Sequence, residues 1–233
     1  MKVSSEAKLF IVILVAAVAL VGFVILPSLM EKPPAPPPGA IKKAMPKEGA
    51  LVTSTSHIRG KNDAALTVVV FSDFECPQCA GMHPKLLDLF NAHKKNLRIV
   101  YHSFRAAPDH INSGTFARAA EAAGDQGKFW EMHDLLFANQ NDITSLDIPK
   151  TRAKLDGFAK SLKLDMMKYT VSFSGPETLE RYQLDNDLAV AIGVPRTPWA
   201  YCINEVGVVT ETPNFEDIQA WVEQRDPRAG IKK

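Results

Sequence analysis

Ala65-Leu66-Thr67-Val68-Val69-Val70-Phe71-Ser72-Asp73-Phe74-Glu75-Cys76-Pro77-Gln78-Cys79 runs an apolar, β-branched stretch straight into a close pair of cysteines. A short unbroken run of this kind reads as a buried strand. From Pro77 the pattern becomes helical, with Met82, Leu86, Leu87 and Phe90 on one face. A helix that starts at Cys76 holds both sulfurs in its first turn, close enough to close a small disulfide loop. Free N–H groups and the helix dipole at that end favour an anion, so the Cys76 thiolate is stabilised. Pro77 takes the first helical position, where its missing N–H costs nothing. Cys79, one turn further in, is the more buried thiol and the one expected to resolve a mixed disulfide.

A Cys-x-x-Cys pair is also half of a zinc site, but structural zinc usually takes four ligands. The third cysteine, Cys202, lies more than a hundred residues away. Met82 and His83 leave a copper site as a rival from a different class. The strand-then-helix context favours redox chemistry. Three cysteines also exclude a multi-disulfide scaffold. A net charge of +1 over 233 residues argues against a nucleic-acid surface.

Working outward, Asn96 to Ser103 reads as a second strand, so the chain forms a βαβ unit. Helices are expected over residues 115–123, 128–139, 151–162 and 176–192. Strands return at 199–204 and 206–210, joined through Gly207 as a hairpin, and a last helix covers 215–224. The order is βαβ, helical insert, ββα. Among the other side chains, Cys202 reads as a buried inert thiol, and Trp130 and Trp221 as packing. The Leu188 and Ile192 stripe reads as core. His83 and His93 are expected at the solvated surface, and Trp199 beside a substrate groove.

Leu9 to Met30 is uninterrupted by charge. As a helix it reaches about 33 Å, enough to cross a bilayer core of about 30 Å. The run is longer than a signal-peptide core and lacks a clean small-x-small cleavage site, so an uncleaved anchor is expected. Lys32 to Gly39 is a proline-rich spacer. The expected organisation is tail and anchor over 1–30, linker over 31–53, an α/β domain over 54–226 with its insert over 110–192, and a tail over 227–233. Flanking lysines leave orientation nearly undecided; a disulfide chemistry suits the oxidising, extracytoplasmic side.

Three segments together resemble the DsbA-like branch of the thioredoxin superfamily, in its group of membrane-tethered, single-domain members. They are Phe71 to Cys79, Gln126-Gly127-Lys128-Phe129-Trp130-Glu131-Met132-His133-Asp134-Leu135-Leu136-Phe137, and Gly193-Val194-Pro195-Arg196-Thr197-Pro198. The resemblance spans roughly 57 to 225. It implies an α/β thioredoxin fold and an enzyme, a protein thiol–disulfide oxidoreductase acting through Cys76 and Cys79, with no cofactor beyond that disulfide and no metal. It implies that Pro198 is a cis-proline beside the active pair and that the Thr197 backbone pairs with a substrate strand. His110 and His133 match family positions, where orienting helices is the expected role.

The implied partners are cysteine-containing proteins outside the cytoplasm of a bacterium and a membrane redox partner. Disulfide formation is the expected direction; reduction or isomerisation uses the same residues. The sequence departs from the family at three places. Val70 stands where a buried carboxylate is common, which leaves water, Glu75 or Asp73 to move the Cys79 proton. Arg196 replaces a glycine, as a possible partner for the thiolate or for acidic substrates. Gln78 replaces the histidine of the most oxidising members and cannot carry charge, so a milder oxidant is expected.

Overall fold

The computed structural model describes residues 45–226. The expected anchor, proline-rich spacer and C-terminal tail over 227–233 lie outside these residues. Among the described residues no helix is long and apolar enough to cross a membrane.

The pattern from Leu66 dictates the centre of the fold. Strand β2 (Leu66–Ser72) is buried along its whole length, on both faces, which is why its sequence does not alternate. Helix α2 (Pro77–His93) crosses over, and β3 (Leu97–Ser103) returns parallel to β2. The antiparallel β4 (Trp199–Ile203) flanks β2 on the other side, followed by β5 (Val209–Thr212). A short β1 (His57–Arg59) pairs antiparallel with β3. The sheet order is β1-β3-β2-β4-β5.

Helix α1 (Glu48–Leu51) precedes β1. Between β3 and β4 lies the insert: α3 (Ser113–Gly124), α4 (Phe129–Ala138), α5 (Gln140–Ile143), α6 (Ile148–Ser161), α7 (Met166–Ser174) and α8 (Pro176–Ala191). Helix α9 (Phe215–Arg225) closes the chain.

Alternation along the strands sends side chains to two cores. Val68 and Val70 join Met82 and Leu86 of α2 and Ile218 and Trp221 of α9. Val69 and Phe71 join Leu51, Tyr201 and Ala189, with Leu188 and Ile192 packed against them. A third core belongs to the insert, around Phe116, Met132, Leu136 and Tyr169, and it takes in Phe74, Cys76 and Cys79. The active loop is thus packed from the insert side.

The second hairpin strand starts later than its sequence pattern indicates. The Asn204 side chain accepts from the N–H groups of Val206 and Val208, and Gly207 takes φ 76°. Val206 to Val208 is therefore spent on the turn. Leu51 is fully buried although it falls in the expected linker over 31–53; a four-residue helix has no period to read.

Candidate active site

Cys76 caps α2 with extended backbone (φ −77°, ψ 117°), and Pro77 begins the helix. Its carbonyl accepts from Cys79 N at 3.0 Å and Ala80 N at 3.1 Å. Both cysteines are free thiols, Cys79 the deeper at 1% exposure against 6% for Cys76. The Cys79 thiol donates towards the Cys76 sulfur, and this bond, with help from the Thr197 hydroxyl and the backbone N–H groups of Gln78 and Cys79, outweighs burial and lowers the Cys76 pKa to about 6. Cys79 moves the other way: burial first, then the adjacent Cys76 charge, push it well above an ordinary thiol. Above about pH 6, and up to the much higher titration of Cys79, the pair is one thiolate and one thiol, the division of labour that exchange needs.

The Thr197–Pro198 bond is cis. Thr197 is buried, and its carbonyl lies 3.6 Å from Cys76 Sγ. Arg196 does not reach the thiolate. Its Nη1 donates to the Pro198 carbonyl and its Nη2 to the Pro213 carbonyl, both at 3.2 Å, while the guanidinium lies 5.2 Å from the Trp199 ring. The arginine ties the cis-proline loop to the approach of α9. A groove of about 480 Å³ opens beside it, lined by Gln78, Met82, Lys85, Pro198 and Phe215 among others. Trp199 does not line it; the indole N–H donates to Glu211 at 2.8 Å.

The loop before Cys76 is clamped by the insert. Asp73 accepts from Ser113 Oγ at 2.5 Å, lies 2.8 Å from His110 Nδ1, and accepts from Glu75 N at 3.0 Å. Glu75 accepts from Asn112 N at 2.7 Å, and its own burial raises its pKa. Both carboxylates face the start of α3. Gln140, which the sequence did not single out, donates to the carbonyls of Phe74 (2.8 Å) and Cys76 (2.9 Å).

Two histidines read as surface prove to be structural. His83 is wedged between α2 and α4, its Nε2 2.9 Å from Asp134. His93 is buried against Asp226 at 3.1 Å. His133 lies 2.9 Å from the same Asp134 oxygen, and Arg59 Nη2 donates to both oxygens at 2.7 and 2.8 Å. Arg59 supplies a fixed cation there, and it occupies the carboxylate a metal would need. Cys202 is buried, and burial lifts its pKa to about 12, consistent with an inert thiol.

The sequence profile of the family described as Thioredoxin matches residues 52–224. The chain belongs to the thioredoxin family. A helix-capping dithiol of split acidity beside a cis-proline has the geometry that thiol–disulfide exchange uses.

In overall shape it is similar to a thioredoxin-like oxidoreductase from Silicibacter pomeroyi DSS-3 (TM-score 0.61, 23% identity, 78% of this chain and 99% of that one). It is also similar to oxidised BdbD from Bacillus subtilis (0.60, 23%, 72% and 91%) and to the oxidoreductase DsbA from Xylella fastidiosa (0.55, 22%, 72% and 88%). Among curated proteins it is 37% identical over 142 residues to Na(+)/H(+) antiporter NhaA 1 of Salinispora arenicola, covering 61% of this chain and 21% of that protein. A similar match, 37% over 142 residues, is found with the NhaA antiporter of Herminiimonas arsenicoxydans. The chain spans about a fifth of the length of these curated relatives.

Proposed function

We propose that this thioredoxin-family protein donates its Cys76–Cys79 disulfide to cysteine-containing proteins outside the cytoplasm, held at a bacterial cytoplasmic membrane by Leu9 to Met30 and reoxidised by a membrane redox partner. The observation that carries the direction is the place of Cys76 at the N-cap of α2, where the Cys79 thiol, the Thr197 hydroxyl and backbone N–H groups lower its pKa to about 6. A stabilised thiolate favours the reduced form and so makes the disulfide an oxidant. A substrate thiolate attacks Cys76 Sγ, the S–S bond breaks, and the electron pair goes to Cys79. A second substrate thiolate then attacks the substrate sulfur of the mixed disulfide and releases Cys76 as the thiolate. The groove beside Pro198 supports an extended peptide as the substrate, with backbone contacts at Thr197.

Equilibration with glutathione buffers tests the direction. We expect a reduction potential above about −180 mV yet below the about −120 mV of the strongest oxidants. A value near about −270 mV would make the protein a reductase with the same residues. If no Cys76–Cys79 disulfide forms, exchange itself is wrong.

Copper delivery finds less support, because His83 is engaged by Asp134 and Met82 is packed in the α2 core. Micromolar or weaker copper(I) binding, lost or kept in Cys76→Ser, discards it. The antiporter name belongs to proteins of which this chain spans a fifth, and it carries no proposal of transport.

A further inference from the structure

Strand alternation stacks three hydroxyls beneath the resolving cysteine. On β2, Val68, Val70 and Ser72 face α2; on β3, Ile99, Tyr101 and Ser103 face the same way. The register pairs Val70 with Tyr101 and Ser72 with Ser103. Val70 is the position without a carboxylate, so the polar group nearest to it in the sheet is the tyrosine on the neighbouring strand. The Tyr101 hydroxyl is buried and close to Cys79; Ser72 and Ser103 are its hydroxyl neighbours, yet among the described residues no group closes a hydrogen bond of good geometry with it. A buried hydroxyl left without a partner is destabilising, which favours a water there.

Beside these side chains lies a cavity of about 30 Å³ whose wall is mostly apolar, with Met82, Leu86 and Phe137 in it; its polar end is formed by Ser72, Tyr101 and His83 next to Cys79. A polar cavity needs about 10–15 Å³ to hold a water. His83 and Arg59 are the polar lining side chains that also reach solvent.

We propose that a water held in this cavity by the hydroxyls of Tyr101 and Ser72 carries the Cys79 proton to and from solvent past His83. The proposal rests on the exchange reading above. In oxidation of a substrate, the Cys79 thiolate expelled from the disulfide takes a proton from this water, which regains one from bulk. In the reverse direction the Cys79 thiol gives its proton to the water as its sulfur attacks the Cys76 sulfur of a mixed disulfide, expelling the substrate thiolate. Tyr101 and Ser72 keep their protons; they are positioning residues.

The charged and titratable groups facing Tyr101 are otherwise committed. Asp73 is held by Ser113 and His110, and Asp134 by Arg59, His83 and His133. Burial keeps His133 neutral, with a pKa of about 4.

The test is rapid-quench kinetics on the reduced full chain with a labelled peptide disulfide, from about pH 5 to pH 9. It separates formation of the mixed disulfide at Cys76 from its resolution by Cys79. In Tyr101→Phe we expect formation within twofold of the wild type and resolution slowed by about tenfold or more at neutral pH. The deficit should shrink towards pH 9, where hydroxide takes the Cys79 proton directly. Ser72→Ala should behave alike, and it decides the matter if Tyr101→Phe does not fold. Resolution within twofold of the wild type in the folded variants would overturn the relay, as would a deficit equal at every pH, which is the mark of a merely structural loss. A wild type that forms no mixed disulfide would instead overturn the exchange reading.

Discussion

Cys76 and Cys79 sit three residues apart, yet their thiols shift in opposite directions, Cys76 to about 6 and Cys79 well above its ordinary value. The sign of the pH dependence follows. A lowered pKa means the reduced pair gains stability from the thiolate above its titration, and loses it as pH falls through about 6. Reduction therefore takes up one proton above that pH and two below it. The potential should climb by about 30 mV per unit as pH falls towards 6 and by about 59 mV per unit below it. Thiolate absorbance of the reduced protein should titrate at the same point; a single steep slope from pH 5 to about 8 would mean that Cys76 is an ordinary thiol.

Gln78 is uncharged between them. Gln78→His should lower the Cys76 pKa by about one unit and raise the potential by about 30 mV, read in the same glutathione equilibria. An unchanged potential would show that position 78 does not face the thiolate. The capping cysteine, the proline and the cis bond were legible here, the last only through the resemblance to a family. The Arg59–Asp134–His83–His133 knot was not, because it joins residues on three elements that no local period relates. His83 and His93 looked solvated for that reason: their partners, Asp134 and Asp226, are distant in sequence.

At the scale of elements, the long periodic helices and the three inner strands were legible within a few residues, and the shortest elements were not. Helix α7 had a readable start, since Asp165 caps it by accepting from Met167 N and Lys168 N, and Tyr169 and Phe173 follow at helical spacing. Helix α1 had no such signal, yet it matters more to the sheet. Leu51 is buried against Val69, Phe71 and Val100, and its carbonyl lies 2.9 Å from His102 Nε2. Leu51→Ala removes a fully buried side chain and should cost about 2–5 kcal/mol, measured by urea unfolding of the reduced protein. A loss under about 1 kcal/mol would show α1 to be a detachable strap. The Cys76 pKa should stay in place in that variant, because α1 packs on the sheet face away from α2.

On the scale of the whole molecule, the residues that the proposed exchange uses all lie among the described ones. The three cores draw their side chains from residues 51 to 222. The clamp on the active loop comes from Asn112, Ser113 and Gln140 of the insert. The family match, from 52 to 224, covers nearly the same span. Each of these lies within residues 45–226, so the chemistry of the two sulfurs is expected not to depend on what precedes residue 45. A chain starting at Met45 should therefore unfold in one cooperative transition and keep both the glutathione equilibrium and the Cys76 titration of the full-length protein. A shift of more than about 30 mV, a tenfold change in equilibrium, would place part of the active-site environment in the N-terminal segment. If the equilibrium is kept while oxidation of membrane-side substrates in cells is lost, the segment acts through location alone, as an anchor should.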